Sequence, residues 1–251
     1  MTRGKSPKIT TDSDQETAVS ISVFFPCYNE QDNVAGTVEQ ALAVLEKLKA
    51  DFEIIIVDDG SSDATGQIAE EIAGRNSKVK VVHHPTNLGY GAALQSGFKA
   101  ATKKLVFYTD GDGQFDISEM PPLLPMMGQY DIVSCFRLNR QDSPIRKING
   151  WAWTKAVCLL FGMKIRDIDC AFKLYKREIF DKISLLSTGA LIDAEILAQA
   201  IRQGYTVTQK GVHHYPRKAG AQSGANLRVI FRAFKELFKL HRQIRRKSEK
   251  V

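Results

Sequence analysis

No run of 18 or more apolar residues occurs in this sequence, so no segment is expected to cross a bilayer by itself as a helix. The first 20 residues are polar and charged, so no secretory leader is expected. Cysteine is sparse. The four thiols, Cys27, Cys135, Cys158 and Cys170, form no Cys-x-x-Cys pair and sit in or beside apolar runs, which predicts buried, reduced side chains. Aromatic platforms and nucleic-acid recognition motifs are also missing, so the basic surplus is not by itself a sign of a nucleic-acid partner.

What is present is a chain of 251 residues with 43% hydrophobic content, enough for one α/β domain with a sizeable core. The net charge is +7, and the excess gathers in the last third. Such a local basic surface suits a polyanion, membrane phosphates included. Residues 1–18 are rich in Lys, Thr, Ser and Asp and read as a disordered tail.

Strand-like and helix-like patterns then alternate. Ser20 to Pro26 has strand composition, Cys27 to Glu30 reads as a turn, and Val34, Val38, Ala41, Leu42, Leu45 and Leu48 keep helical spacing, with Asn29 or Asn33 as the cap. Residues 53–57 form a second strand, 58–63 an acidic loop and 64–75 a helix. A third strand at 79–82 leads into a glycine-rich helix start, and a fourth at 105–108 ends in Asp110-Gly-Asp-Gly-Gln-Phe-Asp116. This rhythm predicts a mostly parallel sheet covered by helices, with the loops at 26–30, 58–63 and 110–116 along one carboxyl edge.

Asp110, Asp112 and Gln114 alternate, so an extended chain offers two carboxylates and an amide oxygen to one hard cation. The competing reading is a plain Asp-Gly turn. Asp58 and Asp59 suit hydrogen bonds to a ribose or base, while Ser62 or Asp63 caps the next helix. Gly89 and Gly91 resemble a phosphate loop, but the third glycine, Gly97, falls off the dinucleotide spacing and is equally explained by close helix packing. Further along, 131–136 and 207–212 read as strands, and 148–163 and 190–203 as helices. His213 and His214 point to opposite sides of an extended chain, which argues against a joint zinc site.

Together, Pro26-Cys-Tyr-Asn-Glu30, Val57-Asp-Asp-Gly-Ser61, Asn87-Leu-Gly-Tyr-Gly91, Thr109-Asp-Gly-Asp-Gly-Gln114, Arg166-Asp-Ile-Asp-Cys-Ala-Phe-Lys173 and the block from His213 to Gly220 resemble the inverting glycosyltransferases of family 2. The branch is that of dolichol-phosphate mannose synthase and the bacterial polyprenyl-phosphate hexosyltransferases. The resemblance implies a GT-A, Rossmann-like fold and a nucleotide-sugar donor. It implies Mg²⁺ or Mn²⁺ on Asp110, Asp112 and Gln114, and a nucleoside against Asp58 or Asp59. Pro26, Tyr28, Glu30, Gly89 and Gly111 fall with the donor, and Arg137, Arg146 and Arg217 meet phosphates of donor or acceptor. Asp112, Asp169 and Arg217 are the implied catalytic set. Ala171 stands where the family pattern has Gly, which weakens the placing of Asp169 near the sugar.

A phosphate monoester is already largely dianionic at neutral pH and needs cations rather than a base, whereas a hydroxyl acceptor needs a base such as Asp169, Asp193 or Glu195. In the tail, Leu227, Ile230, Phe231, Phe234, Leu237, Phe238 and Ile244 form an apolar stripe opposite a basic face, as in a helix lying on an anionic bilayer. The same stripe also suits packing on the sheet domain, a twin subunit or a membrane protein. The expected organisation is a tail (1–18), a GT-A domain (19–225) and an amphipathic basic helix (226–251), peripheral at the cytoplasmic face of the membrane. The expected reaction moves a hexose from GDP-mannose or UDP-glucose to dolichyl or undecaprenyl phosphate. The alternatives are a hydroxyl acceptor on a glycolipid or polysaccharide, and a non-catalytic nucleotide-sugar binding module. Nucleic acid is not an expected partner.

Overall fold

The computed structural model describes residues 18–139, 144–217 and 236–244, and the side chains of residues 144–146 lie outside that description. The first half follows the expected alternation: β1 (Ser20–Cys27), α1 (Val34–Lys47), β2 (Asp51–Asp58), α2 (Thr65–Arg75), β3 (Val79–His83), α3 (Tyr90–Ala100) and β4 (Leu105–Thr109). Strands β1 and β2 are buried over seven consecutive residues each, the apolar run of strands covered on both faces. β1 pairs in parallel with β2 and β4, and β2 with β3, so all four strands end on the same edge. The register sets Cys27 beside Asp58 and Asp58 beside His83, which brings the polar loops together.

The second half completes a mostly parallel central sheet flanked by helices, and departs from the simple pattern. Two 3₁₀ segments, Ile117–Glu119 and Pro121–Gly128, precede the short strands β5 (Ile132–Ser134) and β6 (Phe136–Leu138). The single strand expected at 131–136 is broken at Cys135, where the chain changes sheets: the Cys135 N–H donates to Phe172 O, and the Phe136 N–H to Lys210 O. The strand expected at 207–212 breaks in the same way into β8 (Val207–Thr208), beside β5, and β9 (Gly211–His213), beside β6. Between them lie α4 (Pro144–Phe161), β7 (Phe172–Lys176), α5 (Ile179–Lys182) and α6 (Ile192–Arg202). β7 inserts antiparallel between β4 and β5, giving the order β3-β2-β1-β4-β7-β5-β8.

Gly97 serves packing. A Cβ there would lie 2.3 Å from the Phe24 ring, so only glycine lets α3 approach β1 this closely. All four cysteines are buried and free.

Of the expected C-terminal helix, residues 236–244 are described, and they are helical (α7). Leu237, Leu240 and Ile244 are buried and belong to the core cluster, and the His241 ring packs 5.5 Å from that of Phe161. These apolar side chains face the domain, the packing alternative read for this stripe, while Phe238 of the same helix is 58% exposed. Residues 1–17, 226–235 and 245–251 lie outside the described residues.

Candidate active site

The ends of β1, β2 and β4 converge on a cavity of about 620 Å³. Pro26, Tyr28, Glu30, Asp59, Asp110, Gly111, Asp112 and Arg217 all line it, joined by Asn29, Asn87 and Tyr90. The β1 and β2 loops are laced together. The Asn29 N–H donates to Ser61 Oγ (3.0 Å), and Asn29 Oδ1 accepts from the Ser62 N–H (2.8 Å). Asn29 takes φ 57° to do this, a conformation Asn tolerates. Of the two expected asparagines, Asn33 holds the N-cap position of α1, but its side chain makes no capping bond and donates instead through Nδ2 to Glu30 Oε2 (2.7 Å).

Asp110 is half-buried, and its Oδ1, shielded from solvent, has no hydrogen-bond partner. Burial pushes its pKa up to about 8, the neighbouring Asp112 adds to the rise, and the Tyr90 hydroxyl opposes it. Asp112 is also raised, chiefly by burial, while the Gln114 N–H and the Arg217 guanidinium counteract. An orphaned buried carboxylate oxygen beside a second carboxylate fits a hard divalent cation. Among the described residues no group of three His, Cys, Asp or Glu side chains converges on a metal position. Gln114, the expected third ligand, donates through its side-chain Nε2 to Tyr215 O (3.0 Å), and its backbone carbonyl accepts from the Tyr215 N–H (2.9 Å), so neither bond uses the side-chain oxygen expected to meet a cation. This pairing straps the segment before Arg217 across the acidic loop, and Arg217 forms an ion pair with Glu30.

A sequence-family model described as Glycosyl transferase family 2 matches residues 22–184, well over half of the chain. The chain belongs to glycosyl transferase family 2. Dodecaprenyl-phosphate galacturonate synthase of Rhizobium johnstonii is 30% identical over 178 residues, covering 69% of this chain and 53% of that protein. Undecaprenyl-phosphate 4-deoxy-4-formamido-L-arabinose transferase of Pseudomonas fluorescens is 30% identical over 214 residues, covering 84% and 61%. The chain thus spans between half and two thirds of the length of these curated relatives. Among solved structures, mannosyl-3-phosphoglycerate synthase from Rubrobacter xylanophilus superposes with a TM-score of 0.67 at 18% identity, covering 93% of this chain and 76% of that one. Glucosyl-3-phosphoglycerate synthase from Mycobacterium tuberculosis, crystallised with Mn²⁺, uridine diphosphate and phosphoglyceric acid, gives 0.60 at 20% identity, covering 90% and 76%. At this identity the likeness speaks for the fold.

Within this family 2 domain, several expected site residues stand apart from the cavity. Asp58 accepts from the Ser61 N–H (3.0 Å) and contacts His83 Nδ1 (3.0 Å), tying β2 to β3 instead of facing the cavity. Asp59 lines the cavity, yet its carboxylate takes the N–H groups of Leu88 and Gly89 and contacts His84 Nδ1 (2.6 Å). It is the knot of the 84–89 loop. The phosphate-loop reading of Gly89 and Gly91 meets the same objection: the N–H groups of Gly91 and Ala92 both donate to Thr188 O, so the N-terminus of α3 is already occupied. Arg137 is bound bidentately by Asp167 (2.7 and 2.8 Å) and lines a separate cavity. The side chain of Arg146 lies outside the described residues.

Two of the three candidate bases are engaged elsewhere. Glu195 is buried and accepts from the Leu186 and Ser187 N–H groups. Asp193 is buried, accepts from Lys173 Nζ (2.8 Å) and is bonded by the Tyr108 hydroxyl. Lys173, wholly buried, also donates to Ile168 O (3.1 Å) and Cys170 O (2.6 Å). This network, with Tyr90 and the two histidines, was missed from sequence. Its one local signal was a lysine inside the apolar run Ala171-Phe-Lys-Leu-Tyr175. Asp169 does not line the main cavity; burial raises it to about 6, with Asp193 and Asp167 adding to the effect.

The Asp110 shift has a measurable consequence. An unfolded aspartate titrates near 4, so between about pH 4 and 8 the folded, metal-free protein holds a proton that the unfolded chain has lost. Thermal stability without metal is therefore expected to fall as pH rises through that window, and Asp110→Asn should flatten the slope. A melting-temperature series at fixed ionic strength in the presence of chelator checks this.

Proposed function

We propose that this chain transfers a hexose, with inversion, from a nucleotide sugar, GDP-mannose or UDP-glucose, to a polyprenyl phosphate at the cytoplasmic face of a membrane. The observation that carries the reading is the orphaned Asp110 oxygen beside Asp112 in a cavity that also presents Arg217. Asp110 and Asp112 are the residues that would hold Mg²⁺ or Mn²⁺, which when bound neutralises charge on the leaving diphosphate. Arg217, steadied by Glu30 next to Asp112, brings a guanidinium suited to bidentate phosphate binding. Tyr28 and Asn87 line the same cavity, on the side of the β1 loop and the 84–89 loop that Asp59 organises.

The relatives named for polyprenyl-phosphate products support the acceptor, and the Mn²⁺ and uridine diphosphate of the Mycobacterium tuberculosis structure support a metal-assisted donor site. Locking Asp193 and Glu195 into buried networks fits an acceptor that needs no base. A second reading, transfer to a hydroxyl, is favoured by Asp169, whose pKa of about 6 suits a general base. The test offers radiolabelled GDP-mannose and UDP-glucose separately to the purified chain, with Mn²⁺ and vesicles carrying either undecaprenyl phosphate or a glycolipid without phosphate. Labelled prenyl phosphate from one donor supports the proposal. Label in the glycolipid alone, abolished by Asp169→Asn, establishes the second reading instead.

A further inference from the structure

The buried carboxylate of Asp59 ends a hydrogen-bonded line of three side chains. Ser96 Oγ on α3 lies 2.8 Å from His84 Nε2, and His84 Nδ1 lies 2.6 Å from Asp59 Oδ1. A carboxylate only accepts, so Nδ1 carries the proton, and in the neutral ring Nε2 accepts the Ser96 hydroxyl proton. Serine, histidine and aspartate in this order are the parts of a hydrolytic triad, but here the line runs in reverse. Asp59 lines the main cavity and Ser96 and His84 do not, while Ser96 stands in mid-helix with its N–H committed within α3. The carboxylate is the end that faces a ligand, and the hydroxyl is the anchor. The same carboxylate takes the N–H groups of Leu88 (2.9 Å, on Oδ1) and Gly89 (3.0 Å, on Oδ2). With His84, these donors use three of its roughly four lone-pair directions, and the one left over is on Oδ2. Gly60, at φ 68°, lets the 84–89 loop close over this knot, since a Cβ there would lie 2.3 Å from the Thr86 carbonyl carbon. His83 faces the other way. Its ring joins Asp58 Oδ2 (3.0 Å) to Glu70 Oε1 (2.9 Å), outside the cavity.

We propose that His84, oriented by Ser96, is a positioning residue for the donor: it sets the Asp59 carboxylate so that the remaining Oδ2 lone pair accepts an O–H or N–H group of the nucleoside. The assignment rests on the cavity's being a nucleotide-sugar site, and it adds to that reading a histidine and a serine that touch no ligand themselves. A carboxylate free to turn about its Cβ–Cγ bond offers its oxygens over a wide range of angles. A 2.6 Å contact to a ring that is itself pinned at its far nitrogen removes that freedom, so less order is lost when the nucleoside arrives. The phosphates take no part in this, because they belong to the side of Asp110, Asp112 and Arg217.

The test is calorimetry of the purified chain, with Mg²⁺ present, against GDP, UDP and inorganic diphosphate. The nucleotide that the wild type prefers is expected to bind His84→Phe about tenfold more weakly, the worth of one hydrogen bond to a charged group. Inorganic diphosphate should bind both proteins alike. His84→Asn, whose amide N–H stands in for Nδ1, should recover most of the loss. Ser96→Ala, which only frees the ring to turn, should lose about threefold. His83→Ala, which releases Asp58 and Glu70 alone, should lose nothing. Thermal unfolding verifies that each variant is folded, and Ser96→Ala decides the matter if His84→Phe is not. Undiminished nucleotide affinity in the deciding variant overturns the proposal. So does an equal loss for inorganic diphosphate, which would mean a general collapse of the cavity, or a folded His84→Asn that recovers nothing. Failure of the wild type to bind either nucleotide overturns the nucleotide-sugar reading itself, and this proposal with it.

Discussion

Alanine in place of Asp112 is expected to lower the transfer rate by about 10² to 10³ while leaving the protein folded, the magnitude seen when one preorganised charge-stabilising group is removed from an active site. Asp112 lines the cavity next to the orphaned Asp110 oxygen, and the variant leaves only one of the two carboxylates that the proposed cation requires. The stability effect should have the opposite sign. Asp112 is the second cause of the raised Asp110 pKa, so deleting it relieves a like-charge repulsion in the metal-free protein. Mn²⁺ titration by calorimetry, turnover and melting temperature at pH 8 together check the claim. Weakened metal binding, slowed transfer and an unreduced metal-free melting temperature are expected. Undiminished transfer with normal metal affinity would remove Asp112 from the site.

Lys173→Met should produce the largest loss of stability, about 3–5 kcal/mol, because it strands a buried partner. Lys173 is 0% exposed and its three ammonium protons are shared among Asp193, the Tyr108 hydroxyl and two carbonyls. Methionine fills much of the volume but leaves the Asp193 carboxylate without its counter-charge. For a domain of this size the loss corresponds to roughly 6–20 °C in melting temperature. Lys173→Met/Asp193→Leu should recover much of it, since removing both partners costs less than removing one. Additive losses in the double variant would mean that the pair is not coupled. The carbonyls that Lys173 holds belong to Ile168 and Cys170, on either side of Asp169. The single variant should therefore also loosen the loop that carries Asp167 and Asp169, visible as faster hydrogen exchange over residues 166–170.

Much of the site was legible because its signals are local. An acid at the end of a buried apolar run is visible in a few residues, and parallel strands bring such ends to one edge, so Pro26 to Glu30, Asp59, Asp110 and Asp112 were foreseeable as neighbours. What the sequence did not show lies with side chains whose partners are distant in sequence. Asp59, read with Asp58 as a candidate nucleoside contact, lines the cavity and also organises Leu88 and Gly89, 29 and 30 residues away. Gly91 offered the look of a phosphate loop, and its N–H is taken by Thr188 O. Asp193 was a candidate base until the fold set it against Tyr108, 85 residues earlier.

The sequence by itself determined the alternation of strands and helices, the family and the acidic edge, because periodicity and strand-end chemistry act over a few residues. Only the tertiary structure decided which polar groups remain available. It broke the two late strands at the sheet change, laid β7 antiparallel between β4 and β5, turned Leu237, Leu240 and Ile244 into the core, and left Ile148, Trp151 and Leu159 of α4 exposed. The physical reason is that burial and hydrogen-bond satisfaction depend on whatever the remote chain brings alongside. A carboxylate is spent or free, and an apolar stripe is covered or bare, according to neighbours that local pattern does not name.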